Sequence, residues 1–172
     1  MILSETHVCT DCKTLCELIA NAKPKIIGID GTDGTGKSYL SKRVASTLNF
    51  GHVEVDKFIN RNQDTYLANL DSEHLKNATN ETLSKHQGLV LDGICLRAVL
   101  ENIDVVAEFH VYVQTISEVG NLQNSDVIGY EPNSERHGNQ SWLSPLAREL
   151  GEYHNSYQPR AKSNVIYQRI VT

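Results

Sequence analysis

The sequence predicts an α/β fold in three layers, with a five-stranded parallel sheet and helices on both of its faces. One observation is that short apolar runs alternate along the chain with stretches of helical periodicity. A second is that glycines or acidic residues follow several of these runs, and ligands bind at the carboxyl ends of parallel strands. The 172 residues are enough for one buried core, so we expect a single domain over 1–172.

The first sixty residues supply two predicted helices and two predicted strands. A helix is expected from Thr10 to Ala22, because its apolar positions share one face and Pro24 follows. We therefore predict a helical extension over 1–23. The run from Lys25 to Asp30 is typical of a buried parallel strand. Apolar residues then recur at helical spacing over 36–48, and alternation over 52–56 indicates a second strand.

The remainder of the chain continues the alternation. Periodicity and apolar runs predict, in order, a mostly helical segment over 66–86, a strand over 89–92, a short helix over 97–101, a strand over 109–113, a helix over 143–155 and a last strand over 165–171. Between the fourth strand and the next helix, residues 120–141 are polar and irregular, and we predict a mobile segment there.

Composition and charge exclude several classes of protein. The net charge of −5 argues against general nucleic-acid binding, so we expect no nucleic-acid partner. Residues 1–7 lack the basic and apolar regions of a signal peptide, and no apolar run is long enough to span a membrane. We expect a cytoplasmic protein without a membrane partner, and the sequence leaves its oligomeric state open.

Three of the four cysteines are closely spaced, as Cys9, Cys12 and Cys16. Such spacing invites a metal-site interpretation. The positions 9, 12, 16 and 19 also share one face of a helix, however, and cysteine packs there as a small apolar residue. We favour the packing interpretation.

The segment Gly31 to Ser38 matches the phosphate-loop pattern G-x-x-x-x-G-K-[ST] at every position. A predicted strand precedes it and a predicted helix follows it, which is the context the motif needs. Glycines let backbone amides curl around phosphate oxygens, Lys37 reaches the β- and γ-phosphates, and the Ser38 hydroxyl coordinates Mg²⁺. The predicted ATP-binding residues are Gly31, Thr32, Asp33, Gly34, Thr35, Gly36, Lys37, Ser38 and Tyr39.

Two aspartates end neighbouring predicted strands. Asp92 closes the apolar run Leu89 to Leu91, the pattern of a Walker B strand, and we predict that it holds Mg²⁺ with Ser38. Asp56 ends the second strand on the same rim. A carboxylate there could orient an acceptor hydroxyl and take its proton, although helix capping explains its position equally well.

Together with the phosphate loop, several further segments of the chain resemble those of the uridine kinases. The segment Val55 to Phe58 is similar to their D-x-F segment, Leu91 to Arg97 resembles the (D/E)-G-I-x-L segment, and Tyr157 to Ile166 resembles their Y-x-P tail. The loop itself also looks like that of thymidylate kinases, which carry an acid where Asp33 stands. The resemblance implies a P-loop fold, Mg²⁺ and ATP as cofactors, and Asp56 as the catalytic base.

One part of that family pattern is reduced. Uridine kinases carry an arginine-rich lid after the fourth strand, whereas residues 114–144 of this chain, the expected lid region, contain only Arg136. Such arginines stabilise the transferring phosphoryl group. We therefore predict catalytic roles for Lys37, Asp56 and Arg136, with Arg148 or Arg160 as substitutes for Arg136.

These features predict an ATP-dependent phosphotransferase whose acceptor is a small molecule with a hydroxyl group, such as a nucleoside. Candidate acceptor contacts are Asp56, Phe58, Arg61 and Tyr66. Two alternatives stay open. One is a nucleoside monophosphate kinase, suggested by the thymidylate-kinase-like loop; the other is a nucleotide-binding module whose reduced lid supports no transfer.

Overall fold

The computed structural model describes residues 6–60, 65–130 and 143–171. These residues contain a sheet of six strands: β1 (His7–Cys9), β2 (Ile26–Gly31), β3 (Gly51–Glu54), β4 (Leu89–Asp92), β5 (Phe109–Ser117) and β6 (Val165–Val171). The strand order is β1-β6-β5-β2-β4-β3, and every neighbouring pair is parallel. The central strand β2, which leads into the phosphate loop, therefore lies between β5 and β4.

The described helices are α1 (Cys12–Ala22), α2 (Lys37–Leu48), α3 (Ser72–Lys85), α4 (Leu96–Asn102), α5 (Ser125–Ile128) and α6 (Pro145–Tyr157). Short 3-10 turns follow β3 (Val55–Phe58) and precede α3 (Leu67–Asn69). Side chains cap three of the helices: Asp11, Asp71 and Ser144 each accept a hydrogen bond from an amide in the first turn. Such caps satisfy amides that have no partner inside the helix.

The central strands β2 and β4 are buried on both faces of the sheet, which makes the fold a three-layer sandwich. Strand β4 shows how the layers form, because Val90 faces a core with α1 and α2, whereas Leu89 and Leu91 face a core with α3, α4 and α6. Burial on both faces explains why the strands have continuous apolar runs. The predicted α/β class, with a parallel sheet and helices on both faces, is confirmed.

The predicted number of strands was five, and the sheet has six. The additional strand is β1, which pairs with the edge strand β6 from His7 to Cys9. The first 23 residues are therefore not purely helical, and Cys9 lies in this strand rather than on α1. Three residues are too few to show an alternating pattern, and that is why the sequence did not reveal the strand.

The cysteines pack as apolar residues. In α1, the side chains of Cys12, Leu15, Cys16 and Ile19 are buried on one face, against α2 and the sheet. All four cysteines are free thiols. Burial raises the pKa of the Cys9 and Cys16 thiols to about 11, so both stay protonated at neutral pH. Within the described part of the chain, no cluster of three or more His, Cys, Asp or Glu side chains could hold a metal ion.

Among the residues that the structure describes, no helix combines the length and the apolar character that crossing a membrane requires.

Candidate functional site

The strand order brings three predicted functional segments to one edge of the sheet. Strands β2, β4 and β3 are adjacent, and Asp92 lies in register with Ile29 on one side and Glu54 on the other. The phosphate loop after β2, Asp92 at the end of β4 and Asp56 just after β3 therefore share the carboxyl edge, where ligands of parallel sheets bind.

The phosphate loop has a backbone that requires glycine at its two ends. Gly31 has a φ of +151°, and a Cβ there would stand 2.4 Å from the carbonyl oxygen of Val113. Gly36, directly before α2, has a φ of +84°, in the left-handed region. Between them Asp33 is exposed, and its Oδ1 accepts a hydrogen bond from the Gly34 amide at 2.9 Å. This carboxylate caps the turn of the loop.

Lys37 folds across the loop. Its Nζ donates a hydrogen bond to the Thr32 carbonyl oxygen at 2.7 Å, and the residue is only 7% exposed. Burial lowers the pKa of its ammonium group, while nearby carboxylates, led by Asp30 and Asp56, act in the opposite direction. A phosphate entering the loop would give this ammonium a stronger partner than a neutral carbonyl.

Ser38 and Asp92 form the pair that the sequence predicted for a metal ion. The Ser38 hydroxyl donates to Asp92 Oδ2 at 2.8 Å, and Asp92 is 1% exposed. A hydroxyl and a carboxylate side by side fit Mg²⁺, which prefers oxygen ligands and usually takes one or two carboxylates together with waters and substrate phosphates. The residues present therefore fit a magnesium ion.

His52 was missed by the sequence analysis. Its Nε2 lies 2.5 Å from Asp92 Oδ1, so the two carboxylate oxygens of Asp92 contact His52 and Ser38 respectively. His52 is in β3, directly beside β4, and Asp92 follows the paired residue Val90 by two positions. Residues two apart in a strand point to the same face. That alternation could have indicated the contact once the neighbouring strands were known.

Asp30, at the end of β2, is buried, and both of its carboxylate oxygens accept hydrogen bonds from other groups of the protein. Its Oδ1 accepts from the Gly31 amide at 2.7 Å, and its Oδ2 accepts from the Tyr153 hydroxyl of α6. Burial raises the pKa of this carboxyl, while the two hydrogen bonds favour its charged form. Asp30 thus connects the start of the phosphate loop to α6.

Asp56 lies in the 3-10 turn after β3 and is exposed at the carboxyl edge. The Tyr66 hydroxyl donates to Asp56 Oδ1 at 2.6 Å, which joins two of the predicted acceptor residues. Glu149 of α6, which the sequence did not suggest, accepts from the backbone amides of Tyr66 at 2.5 Å and Leu67 at 3.0 Å. Helix α6 therefore holds the segment that carries Tyr66.

The other predicted residues are distributed around this centre. Phe58 is half-buried and packs against the core beside α3, next to Asp56. Tyr39, in the first turn of α2, is 69% exposed, with the Arg43 guanidinium 5.7 Å from its ring centre. Thr32 is buried, and its hydroxyl oxygen accepts from the Asn124 side chain at 2.9 Å. This hydrogen bond connects the segment after β5 with the phosphate loop.

The predicted arginines lie in different parts of the chain relative to the candidate site. Arg61 and Arg136 lie outside the described residues. Arg160 Nε donates to Gln114 Oε1 at 2.7 Å, near the end of β5, and Arg148 lies in α6. A further arginine, Arg169 of β6, donates to the Thr35 carbonyl oxygen in the phosphate loop and was not predicted. No local motif marks it, because only the sheet order brings β6 near the loop.

Comparison with known proteins gives a likeness at the level of the fold. No protein-family model and no curated protein sequence matches this chain. Among solved structures, the chain is similar to that of a possible uridine kinase from Bacillus stearothermophilus, with a TM-score of 0.59 and 16% sequence identity. The match covers 91% of this chain and 96% of that one. The chain therefore shares the α/β fold of that protein.

Proposed function

We propose that the protein is an ATP-dependent phosphotransferase that moves the γ-phosphoryl group of Mg-ATP to a hydroxyl group of a small molecule. The observation that carries the proposal is the grouping at one sheet edge of the phosphate loop, the Ser38–Asp92 pair and the exposed carboxylate of Asp56. A protein that only bound nucleotide would need the loop and the pair, whereas an exposed carboxylate beside them adds nothing to nucleotide binding.

Different residues of this chain would bind the phosphates, the metal ion and the acceptor. Loop amides and Lys37 bind the phosphates, after Lys37 exchanges the Thr32 carbonyl for a phosphate oxygen. Ser38 and Asp92 would hold Mg²⁺, which neutralises charge on the phosphate oxygens. The Tyr66 hydroxyl holds Asp56 by Oδ1, and the second carboxylate oxygen would accept the hydrogen bond of an acceptor hydroxyl.

The transfer itself needs one proton acceptor. As the acceptor oxygen forms its bond to the γ-phosphorus, the bond to the β–γ bridging oxygen breaks and ADP leaves. The proton of the acceptor hydroxyl passes to the carboxylate of Asp56. Asp56 thus acts as the base and orients the nucleophile, while the phosphate loop supplies the charge stabilisation.

For the acceptor we favour a neutral nucleoside, as in uridine kinases. The described side chains around Tyr66 include the carboxylates of Asp56 and Glu149. Such surroundings repel the anionic phosphate of a nucleoside monophosphate, which would make that alternative depend on an arginine such as Arg61 or Arg148, which lines a cavity with Thr65 and Glu149. Phe58, Arg61 and Tyr66 remain proposed acceptor contacts, and the net charge of −5 supports a small acceptor over a nucleic acid.

The proposal is tested by measuring ADP formation from Mg-ATP with a panel of nucleosides, nucleoside monophosphates and small alcohols. The Asp56→Asn variant keeps the shape of the side chain and removes the base, so turnover should fall by at least about 100-fold while ATP affinity is retained. Asp104→Asn is the matched control, because Asp104 is an exposed aspartate bonded to Lys76 on α3. It should leave both quantities unchanged.

A nucleotide-binding module is the second candidate, favoured by the lone Arg136 in residues 114–144. In that case ATP would bind, Lys37→Met would abolish the binding, and no acceptor would stimulate ADP formation. Failure of wild-type protein to bind ATP at all would reject both candidates.

A further inference from the structure

Arg169 lies against the phosphate loop, near the carboxyl end of β6. Its Nη1 donates a hydrogen bond to the Thr35 carbonyl oxygen at 2.7 Å. Its guanidinium also occupies the space beside Gly36, where a Cβ would stand 2.3 Å from Nη1. The absence of a side chain at Gly36 thus leaves room for the Arg169 guanidinium against the loop, directly before Lys37.

The contact determines which way the next amide points. The peptide unit between Thr35 and Gly36 is trans, as are all those described. The carbonyl and the amide of a trans unit point in opposite directions. Since the Thr35 carbonyl faces Arg169 and β6, the Gly36 amide faces away from them. Among the described residues, none accepts a hydrogen bond from this amide, which leaves it available to an anion.

We propose that Arg169 is a positioning residue of the phosphate loop, which holds the Gly36 amide in the direction of a bound phosphate. A hydrogen bond from a cation to the carbonyl also polarises the peptide unit and strengthens its amide as a donor. Arg169 acts through Gly36 and does not itself touch the nucleotide. The inference rests on the proposed function, because it assigns Arg169 to the same phosphate site.

Three variants test the role by calorimetric titration with ADP. Arg169→Met removes the donor and keeps an unbranched side chain, and we expect it to weaken ADP binding about tenfold. Arg169→Lys keeps a cation that can donate to the carbonyl but lacks the planar guanidinium, so it should restore part of the affinity. Arg97→Met is the matched control, because Arg97 Nη2 donates to the Lys162 carbonyl oxygen at 2.8 Å, away from the loop. It should bind ADP like the wild type.

The amide proton shift of Gly36, measured by NMR without nucleotide, separates positioning from mere stability. Arg169→Met should move this resonance upfield, because the peptide loses its polarising partner, while the thermal midpoint stays close to that of Arg97→Met. An unchanged Gly36 shift overturns the proposal. So does wild-type ADP affinity in Arg169→Met.

The same experiment distinguishes this inference from the proposed function. Wild-type protein that does not bind ADP rejects the proposed function, and the Gly36 shift in the free protein then decides the role of Arg169 separately. Wild-type protein that binds ADP, together with an Arg169→Met variant of equal affinity, rejects the inference alone.

Discussion

His52 illustrates how one side chain can act on a site through its neighbour. It contacts Asp92 on the oxygen that Ser38 leaves free, so it restricts the rotation of the carboxylate that we assign to Mg²⁺. Partners of a metal ligand usually change metal affinity by tenfold or more when they are removed. His52 is therefore expected to matter for Mg²⁺ without binding it.

We predict that His52→Ala raises the Mg²⁺ concentration for half-maximal ATP binding about tenfold. The control is His74→Ala, because His74 also contacts an aspartate, Asp71, at 2.7 Å but on the exposed end of α3. Titration of ATP binding with Mg²⁺ measures both variants. An equal Mg²⁺ requirement in wild type and His52→Ala would show that Asp92 does not need this contact.

Tyr66 allows the acceptor site to be tested without changing its charge. Tyr66→Phe removes the hydroxyl that holds Asp56, so we expect acceptor-dependent turnover to fall about tenfold and the free energy of unfolding to fall by about 1 kcal/mol. Tyr157→Phe is the control, since Tyr157 donates to Glu101 at 2.6 Å on the surface. Steady-state kinetics and urea unfolding give the two quantities. Similar losses in both variants would contradict a special role for Tyr66.

At the scale of elements, the turn from β2 into the phosphate loop depends on glycine. In Gly31→Ala the new Cβ would collide with the Val113 carbonyl oxygen of β5, and this backbone atom cannot move aside without disturbing the sheet. In Gly34→Ala the Cβ would meet nothing within 4 Å, and only the positive φ of 73° opposes it. We predict that urea unfolding shows a loss of about 1 kcal/mol for Gly34→Ala and a larger loss for Gly31→Ala. Equal losses would contradict the account.

Strand β5 carries a histidine whose environment makes stability depend on pH. Burial lowers the pKa of His110 to about 4, from its usual 6.5. Between these values the unfolded chain binds a proton that the folded chain does not, so stability falls as pH drops from 6.5 towards 4. We predict that His110→Gln loses less stability than wild type between pH 7 and pH 4.5 in urea unfolding. An equal loss of stability in the two proteins would show that a group other than His110 causes the pH dependence.

The elements themselves were largely predictable, because doubly buried strands such as β2 and β4 have apolar runs and α2 has a clear periodicity. The short edge strand β1 was not predictable, since three residues are too few to show a periodic pattern of apolar positions. Within the site, the phosphate loop was recognisable from the sequence because its functional residues are consecutive in the chain. His52, Glu149 and Arg169 were not, because each comes from a strand or helix that only the tertiary structure brings to the site.

At the scale of the whole molecule, two cores hold a sheet whose carboxyl edge carries the phosphate loop, Asp92 and Asp56, the residues to which we propose functional roles. One core, with α1 and α2, supports the loop and Ser38; the other, with α3, α4 and α6, supports Asp56 through Tyr66 and Glu149. The phosphate side and the acceptor side of the site thus rest on opposite faces of the sheet. Such a division would let the proposed nucleotide and acceptor bind to separately supported surfaces at one edge.

Mass spectrometry of the acceptor panel after incubation with Mg-ATP tests the central claim most directly. We expect one class of acceptors, neutral nucleosides, to gain a single phosphoryl group with wild-type protein and not with Asp56→Asn, although both proteins bind ATP equally. ATP binding that requires Lys37, without a phosphorylated product from any nucleoside, monophosphate or small alcohol, would contradict it.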